Sequence, residues 1–344
     1  MKLDQNQISI NFTMTQKRPF LKDIIKLENV EKTVNLIAEK LREDVIQVLK
    51  RKGAVVGISG GIDSSVTLAL AVKALGPDKV LGIIMPENDS SPDSKMLALE
   101  LAAKFNIKTI EENMTAALSG FGCYRRRDEA VKSVVPDFNP EKDKFKIEIK
   151  QSVSNMKLPP VFYVTVYFSN GEVESKMLPA KAYLQIVAAS NFKQRSRMSM
   201  LYYHAEANHY AVIGTPNKHE VQQGFFVKYG DGGADVMPIG NLFKTQVYEL
   251  AGYLGVPEGI INRTPTTDTY SAEQSQEDFF YQLPFETMDL IWYGWENGYS
   301  AEEIGKVMDY STEEVTNIFT SFERKVRTTE YLRMSPIHYH QTGL

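Results

Sequence analysis

Seven consecutive residues, Ser59-Gly60-Gly61-Ile62-Asp63-Ser64-Ser65, bring together two glycines, three serines and a carboxylate. Glycines let a backbone approach an anion closely, and a helix that starts here offers free N–H groups and the positive end of its dipole. Polyphosphate is the natural occupant of such a loop. A plain glycine turn with a serine helix cap uses the same residue types. Asp63 separates the two readings, because a carboxylate inside a phosphate cradle repels its ligand unless Mg²⁺ lies between them. The lysine and spacing of a Walker loop are absent. As an exposed loop residue, Asp63 is expected to contribute little to the core.

Other candidates are weaker. The run Gly230-Asp231-Gly232-Gly233-Ala234-Asp235 lacks the alternating acids and closing glutamate of an EF-hand, so a tight turn presenting Asp235 to a ribose or amide is the better reading. His204 and His209 lie five apart on one expected helix and do not share a face, which argues against a metal pair. His219 adjoins Glu220, while His338 and His340 fall in the tail. Residues 300–322 pattern like a helix-turn-helix, but the second helix opens Thr312-Glu313-Glu314, which repels a phosphate backbone. A structural helical pair fits better.

The elements around the loop follow from periodicity. Apolar Val34, Ile37, Leu41, Val45, Val48 and Leu49 recur at helical spacing over residues 30–50. Ala54-Val55-Val56-Gly57-Ile58 reads as a buried strand, followed by a helix over 64–75, a strand over 80–85, a helix over 93–105 and a strand over 108–110. Strands alternating with helices at this spacing predict an α/β fold with a doubly wound parallel sheet. The rhythm breaks over about 125–180, where 145–149, 162–168 and 172–178 alternate like strands and Asn170-Gly171 marks a hairpin turn. A helix over 182–208, a strand over 211–213, a helix over 242–254 and a helical C-terminal portion complete the chain. The expected division is an arm over 1–29, a catalytic domain over 30–333 with the β-rich insertion, and a tail over 334–344.

Composition narrows the partners. With 39 basic and 43 acidic residues the net charge is −4, which gives no electrostatic case for nucleic acid. Cys123 is the sole cysteine, so an intrachain disulfide and a cysteine-rich zinc site are excluded. The apolar runs are short, so no membrane partner is expected and a cytoplasmic location is the simplest expectation.

The loop resembles that of enzymes that cleave ATP between its α and β phosphates. The likeness extends over residues 30–333 to the ammonia-dependent NAD synthetase family, of the N-type ATP pyrophosphatase (adenine nucleotide alpha-hydrolase-like) kind. Met85-Pro86-Glu87 and Ser90-Ser91-Pro92-Asp93-Ser94 are similar to its substrate loop, and residues 191–198 with Leu201-Tyr202 and Ala205 to its long central helix. Gly214-Thr215, Asn217-Lys218 and Glu220 follow, and residues 224–235 nearly spell the family's signature string. The resemblance implies that Gly57, Ile58, Ser59, Gly60, Gly61, Ile62, Asp63, Ser64, Thr215, Lys244 and Thr266 surround ATP. It implies that Asp63 and Glu220 hold Mg²⁺, that Asp63 and Lys244 serve catalysis, and that Arg195, Lys228 and Asp235 contact deamido-NAD. Taken singly, Arg195 with Arg197 also reads as a solvated helix face, Lys244 as a surface lysine and Glu220 as a helix-start glutamate.

What the resemblance implies chemically is adenylation of the nicotinate carboxylate of deamido-NAD, then displacement of AMP by ammonia to give NAD. The roughly 50 residues before the core are few for a glutaminase domain, so free ammonia, or ammonia from a separate protein, is the expected donor. A homodimer is implied as well. Three departures stand out: Gln274-Ser275-Gln276-Glu277-Asp278 replaces an acidic element, Leu332-Arg333 lacks a family lysine, and the insertion over 125–180 is long. They keep open a different carboxylate acceptor, with a non-catalytic ATP sensor as the remaining rival. The insertion reads as a surface elaboration or as a lid over the acceptor.

Overall fold

A computed structural model describes residues 18–266 and 270–338. The N-terminal arm to residue 17, residues 267–269 and the tail from 339, His340 included, lie outside the described residues. Helix α1 (Val30–Glu43), capped by the Asn29 side chain, runs into a π-helical turn over Asp44–Val48. Then come β1 (Ala54–Gly57), α2 (Ile62–Leu75), β2 (Val80–Ile84), α3 (Pro92–Lys104) and β3 (Lys108–Glu111). Short helix α4 (Thr115–Gly120) leads to α5 (Cys123–Lys132), then β4 (Lys144–Ile149), β5 (Phe162–Tyr167) and β6 (Val173–Met177). The long α6 (Ala180–Asn208) returns the chain to β7 (Ala211–Ile213) and α7 (Lys218–Gln223). Helices α8 (Lys244–Leu254), α9 (Glu258–Ile261), α10 (Phe285–Glu296), α11 (Ala301–Met308), α12 (Thr312–Thr328) and α13 (Glu330–Arg333) complete the order.

The parallel sheet has strand order β3-β2-β1-β7. β1 is flanked on one side by β2 and on the other by β7, so the chain reverses its direction of travel across the sheet at the β1/β7 boundary. In such sheets the crevice at the carboxyl ends of the strands, at the reversal, is where ligands bind. One face packs on α1, α2, α3 and α8 through Val56, Val66, Leu70, Leu101 and Leu250. The other packs Val55, Ile83 and Val212 on Leu201 and Ala205 of α6. The doubly wound α/β expectation is met.

The insertion differs in part from its expected form. Its polar start is helical: Arg125 and Glu129 pair one turn apart at 2.7 Å, while Arg127, Ala130 and Val131 face inward on α5. Strands β4, β5 and β6 form an antiparallel sheet whose inner face, Phe145, Ile147, Val164 and Val166, packs on Val131 and on Ile186 of α6. A third core of Met288, Trp292, Val315, Ile318 and Phe322 joins the C-terminal helices.

Candidate active site

The Ser59–Ser65 segment leaves β1 and turns into α2 at the sheet's reversal point. Gly60 has φ 74°, and a Cβ there would sit 2.7 Å from the Ser94 carbonyl oxygen, so only glycine fits. Ser64 and Ser65 donate to the Gly61 carbonyl oxygen at 3.0 and 2.8 Å, and the Ser59 and Ser64 hydroxyls lie 3.2 Å apart. These bonds fix the turn, and the first residues of α2 line a cleft of about 830 Å³. Gly57, Ile58, Ser59, Gly61, Ile62, Asp63, Ser64, Thr215, Glu220 and Thr266 line it at this end, and Arg195, Lys228, Tyr331 and Leu332 line it further out.

Three expected site residues are placed differently. Gly60 shapes the turn and is not part of the wall. Asp235 is turned to its own scaffold, its carboxylate accepting from Val212 N–H at 2.8 Å and the Tyr202 hydroxyl at 3.1 Å. Lys244 is not a surface lysine: it is fully buried, and its Nζ donates to Asp63 Oδ2 from behind the wall. Asp63 is therefore no idle loop carboxylate. Its Oδ1 accepts from Asn217 Nδ2 at 3.2 Å. Asn217 also caps α7 through the N–H groups of His219 and Glu220, while Glu220 Oε2 accepts from Asn217 N–H at 2.9 Å. One buried asparagine thus sets both carboxylates.

The electrostatics fit a cation. Burial and the Asp63 charge push the Glu220 carboxyl up to about 8, with Lys244 and the Asn217 N–H opposing. Burial pulls Lys244 down, but Asp63 and Glu220 outweigh it and hold the ammonium above its ordinary value. The Tyr281 hydroxyl is buried with no hydrogen-bond partner among the described residues, and burial, Glu220 and Asp63 all raise its pKa. Two crowded carboxylates supply oxygens of the kind that hold Mg²⁺, which is bound by one or two carboxylates plus phosphate and water oxygens.

The outer cleft is built from α6 and the signature string. Arg195 Nε donates to the Lys228 carbonyl oxygen at 3.2 Å, and Lys228 Nζ donates to the Tyr331 and Met334 carbonyl oxygens at 2.9 and 2.8 Å. Met85, Pro86, Ser90 and Ser91 of the β2–α3 loop and Ser94 of α3 also line the cleft. That loop is anchored by an ion cluster in which Lys193 of α6 bonds Glu87 at 3.1 Å and also Asp89, and Arg127 bonds Asp89. In the altered stretch, Gln276 lines the cleft, Gln274 Nε2 donates to the Ile147 carbonyl oxygen at 2.7 Å, and Glu277 Oε1 accepts from Phe285 N–H at 2.8 Å.

The model of the family described as NAD synthase matches residues 30–141 and 144–336. The chain belongs to the NAD synthase family. It is 47% identical over 304 residues to an NH(3)-dependent NAD(+) synthetase of Mesorhizobium japonicum, covering 88% of this chain and 95% of that protein. It is 42% identical over 317 residues to the synthetase of the same description from Rhizobium meliloti, covering 92% and 94%. Members with these functions are carbon–nitrogen ligases, and the chain is an enzyme of that class. The solved structure of an NMN synthetase from Francisella tularensis matches with TM-score 0.62 at 23% identity, covering 90% of this chain and 98% of that one, which shows the shared fold.

Sequence reasoning missed Asn217, His219, Tyr281 and Asp289 as site-building residues. Asn217 carried a usable signal, since asparagine followed three residues on by glutamate before a helix is a capping-box pattern.

Proposed function

We propose that this NAD synthase family member amidates deamido-NAD to NAD with ammonia, consuming ATP and releasing AMP and pyrophosphate. The observation that carries this reading is the carboxylate pair of Asp63, at the start of α2, and Glu220, on α7, backed by buried Lys244, in a cleft that continues to Arg195 and Lys228. A nicotinate carboxylate oxygen attacks the α-phosphorus of ATP, and the bond to the bridging oxygen breaks to release pyrophosphate. Ammonia then adds to the acyl carbon, AMP leaves, and the nitrogen loses a proton. The N–H groups of α2 and the Lys244 charge stabilise the negative charge gathering on pyrophosphate. Asp63 and Glu220 would hold Mg²⁺, which supplies charge neutralisation on the phosphates. Thr215 and Thr266 offer hydroxyls to the adenosine side, and Arg195 offers a guanidinium to the acceptor phosphates. We further propose a homodimer in the cytoplasm, in keeping with exposed Leu184 and Tyr203 flanking Arg195 along α6; sedimentation tests the dimer.

The deciding assay combines the protein, Mg²⁺, ATP, ammonium and deamido-NAD and measures AMP and NAD together. Equal amounts of the two are expected; AMP without amide, or neither product, overturns the reading. Leu332 in the cleft wall favours a second reading in which the carboxylate sits on a different, smaller nucleotide. Nicotinate mononucleotide in the same assay distinguishes it.

A further inference from the structure

Asp289 of α10 is fully buried and makes no contribution to the cleft wall. Its Oδ1 accepts from His219 Nε2 at 2.6 Å, and its Oδ2 accepts from both the N–H and the hydroxyl of Thr245 at 2.8 Å each. His219 immediately precedes Glu220 on α7, and Thr245 immediately follows Lys244 at the start of α8. One carboxylate from the C-terminal helices therefore joins the two elements that carry the site's second carboxylate and its buried ammonium.

The donor directions are consistent along the whole chain of bonds. Lys325 Nζ donates to Gln223 Oε1 at 3.3 Å, and Gln223 Nε2 donates to His219 Nδ1 at 3.1 Å. The His219 ring is enclosed by the Phe243, Tyr281 and Trp292 rings. Burying a carboxylate and a histidine together is an expensive way to fill a core, since apolar residues of similar volume pack as well or better. What the carboxylate adds is direction: two acceptor oxygens at fixed angles, each pinning a different element.

We infer that Asp289 is a positioning residue that sets the distance between Glu220 and the Asp63–Lys244 pair, and so the affinity of the site for metal-bound nucleotide. The inference rests on the proposed role of Asp63 and Glu220 in holding the metal. It is independent of which carboxylate the enzyme amidates.

The test measures two quantities in each variant: binding of Mn²⁺ with α,β-methylene-ATP, read as loss of the free-Mn²⁺ electron spin resonance signal, and kcat. Asp289→Asn keeps the shape but turns one acceptor into a donor, so the Mn²⁺–nucleotide affinity is expected to fall by about tenfold or more, the scale of a charged hydrogen bond. Thr245→Val removes one of the two bonds on the α8 side and keeps the backbone N–H, so a smaller fall in the same affinity, of a few-fold, is expected. His219→Ala is expected to weaken Mn²⁺–nucleotide binding, and His219→Gln, whose amide N–H reaches the same oxygen, to restore it. A purely structural role predicts a lower melting temperature for Asp289→Asn with unchanged affinity and kcat below the melt, and that result overturns the inference. Should Asp289→Asn fail to fold, unchanged affinity in His219→Ala overturns it as well. A wild-type protein that binds Mn²⁺–nucleotide but forms no NAD overturns the acceptor assignment alone, whereas nucleotide binding that ignores Mn²⁺ overturns the metal reading and this inference together.

Discussion

Lys244 Nζ donates to Asp63 Oδ2 with the lysine fully buried and the Asp63 side chain 15% exposed. Removing either partner strands a charge in the interior, which typically costs about 3–5 kcal/mol, whereas replacing both together is close to neutral. Asp63→Ala is thus expected to lose stability as well as turnover, against the sequence expectation of an untouched fold. Asp63→Asn with Lys244→Met should melt closer to wild type than either single change while remaining inactive. Denaturant midpoints for the four proteins give the coupling, and additive losses would falsify the pairing as a stability element.

Much of this site is visible in the sequence, and what is hidden is hidden for a physical reason. Ser59 to Ser65 signals itself because turn, helix start and carboxylate are local. The order of strands and helices follows from short apolar runs such as Ala54–Gly57, buried up to Gly57, and Val80–Ile84, buried throughout. The Asp63–Lys244 and His219–Asp289 pairs join residues 181 and 70 positions apart, and no local pattern marks them. The α5 segment was obscured by its charge run, because Arg127 is buried by pairing with Asp89 rather than by being apolar.

Lys325 gives a pH dependence. Its Nζ donates to the Phe280 carbonyl oxygen at 2.8 Å and to Gln223, beside the Phe280 and Tyr281 rings, with Arg324 as its charged neighbour. Burial first, then Arg324, pulls its pKa from 10.5 down to about 7. Between those values the unfolded chain holds a proton that the folded chain has released, so this group's contribution to stability rises with pH across that window and is flat below it. Lys325→Met should remove that slope. Urea titrations of both proteins at about pH 6 and about pH 10 check it; equal gaps between the two proteins at both values would sink the claim.

Leu332 faces the cleft beside Tyr331, whose carbonyl oxygen accepts from Lys228. An ammonium introduced here adds a cation where the acceptor's phosphates are expected. Leu332→Lys should lower KM for deamido-NAD by roughly tenfold, the scale of one charged hydrogen bond, and leave KM for ATP unchanged. An unaltered KM for deamido-NAD places the phosphates elsewhere.

The insertion offers the sharpest contrast between a lid and a support. No residue of 125–180 lines the cleft. Instead β4 holds the segment after Thr266 from behind: Phe145 N–H donates to Ser271 Oγ at 3.0 Å, Ala272 N–H to the Phe145 carbonyl oxygen at 3.0 Å, and Gln274 Nε2 to the Ile147 carbonyl oxygen. That segment carries Tyr270 and Gln276 into the wall. Replacing residues 140–178 by a linker would uncover Val131 and Ile186 and delete Phe145, Ile147, Val164 and Val166 from their core. At about 1.5–3 kcal/mol per buried side chain the loss is of the same order as a typical folding stability of about 5–15 kcal/mol, so that variant is expected to unfold rather than leak. Two milder variants separate the readings. Val173→Lys with Met177→Lys, on the exposed outer strand, should leave the ratio of AMP to amide at unity. Gln274→Ala should raise KM for the substrates a few-fold through the loosened wall, as expected for one neutral hydrogen bond. A ratio of AMP to amide that climbs in the Val173/Met177 variant, with KM unchanged in Gln274→Ala, would restore the lid and remove the support.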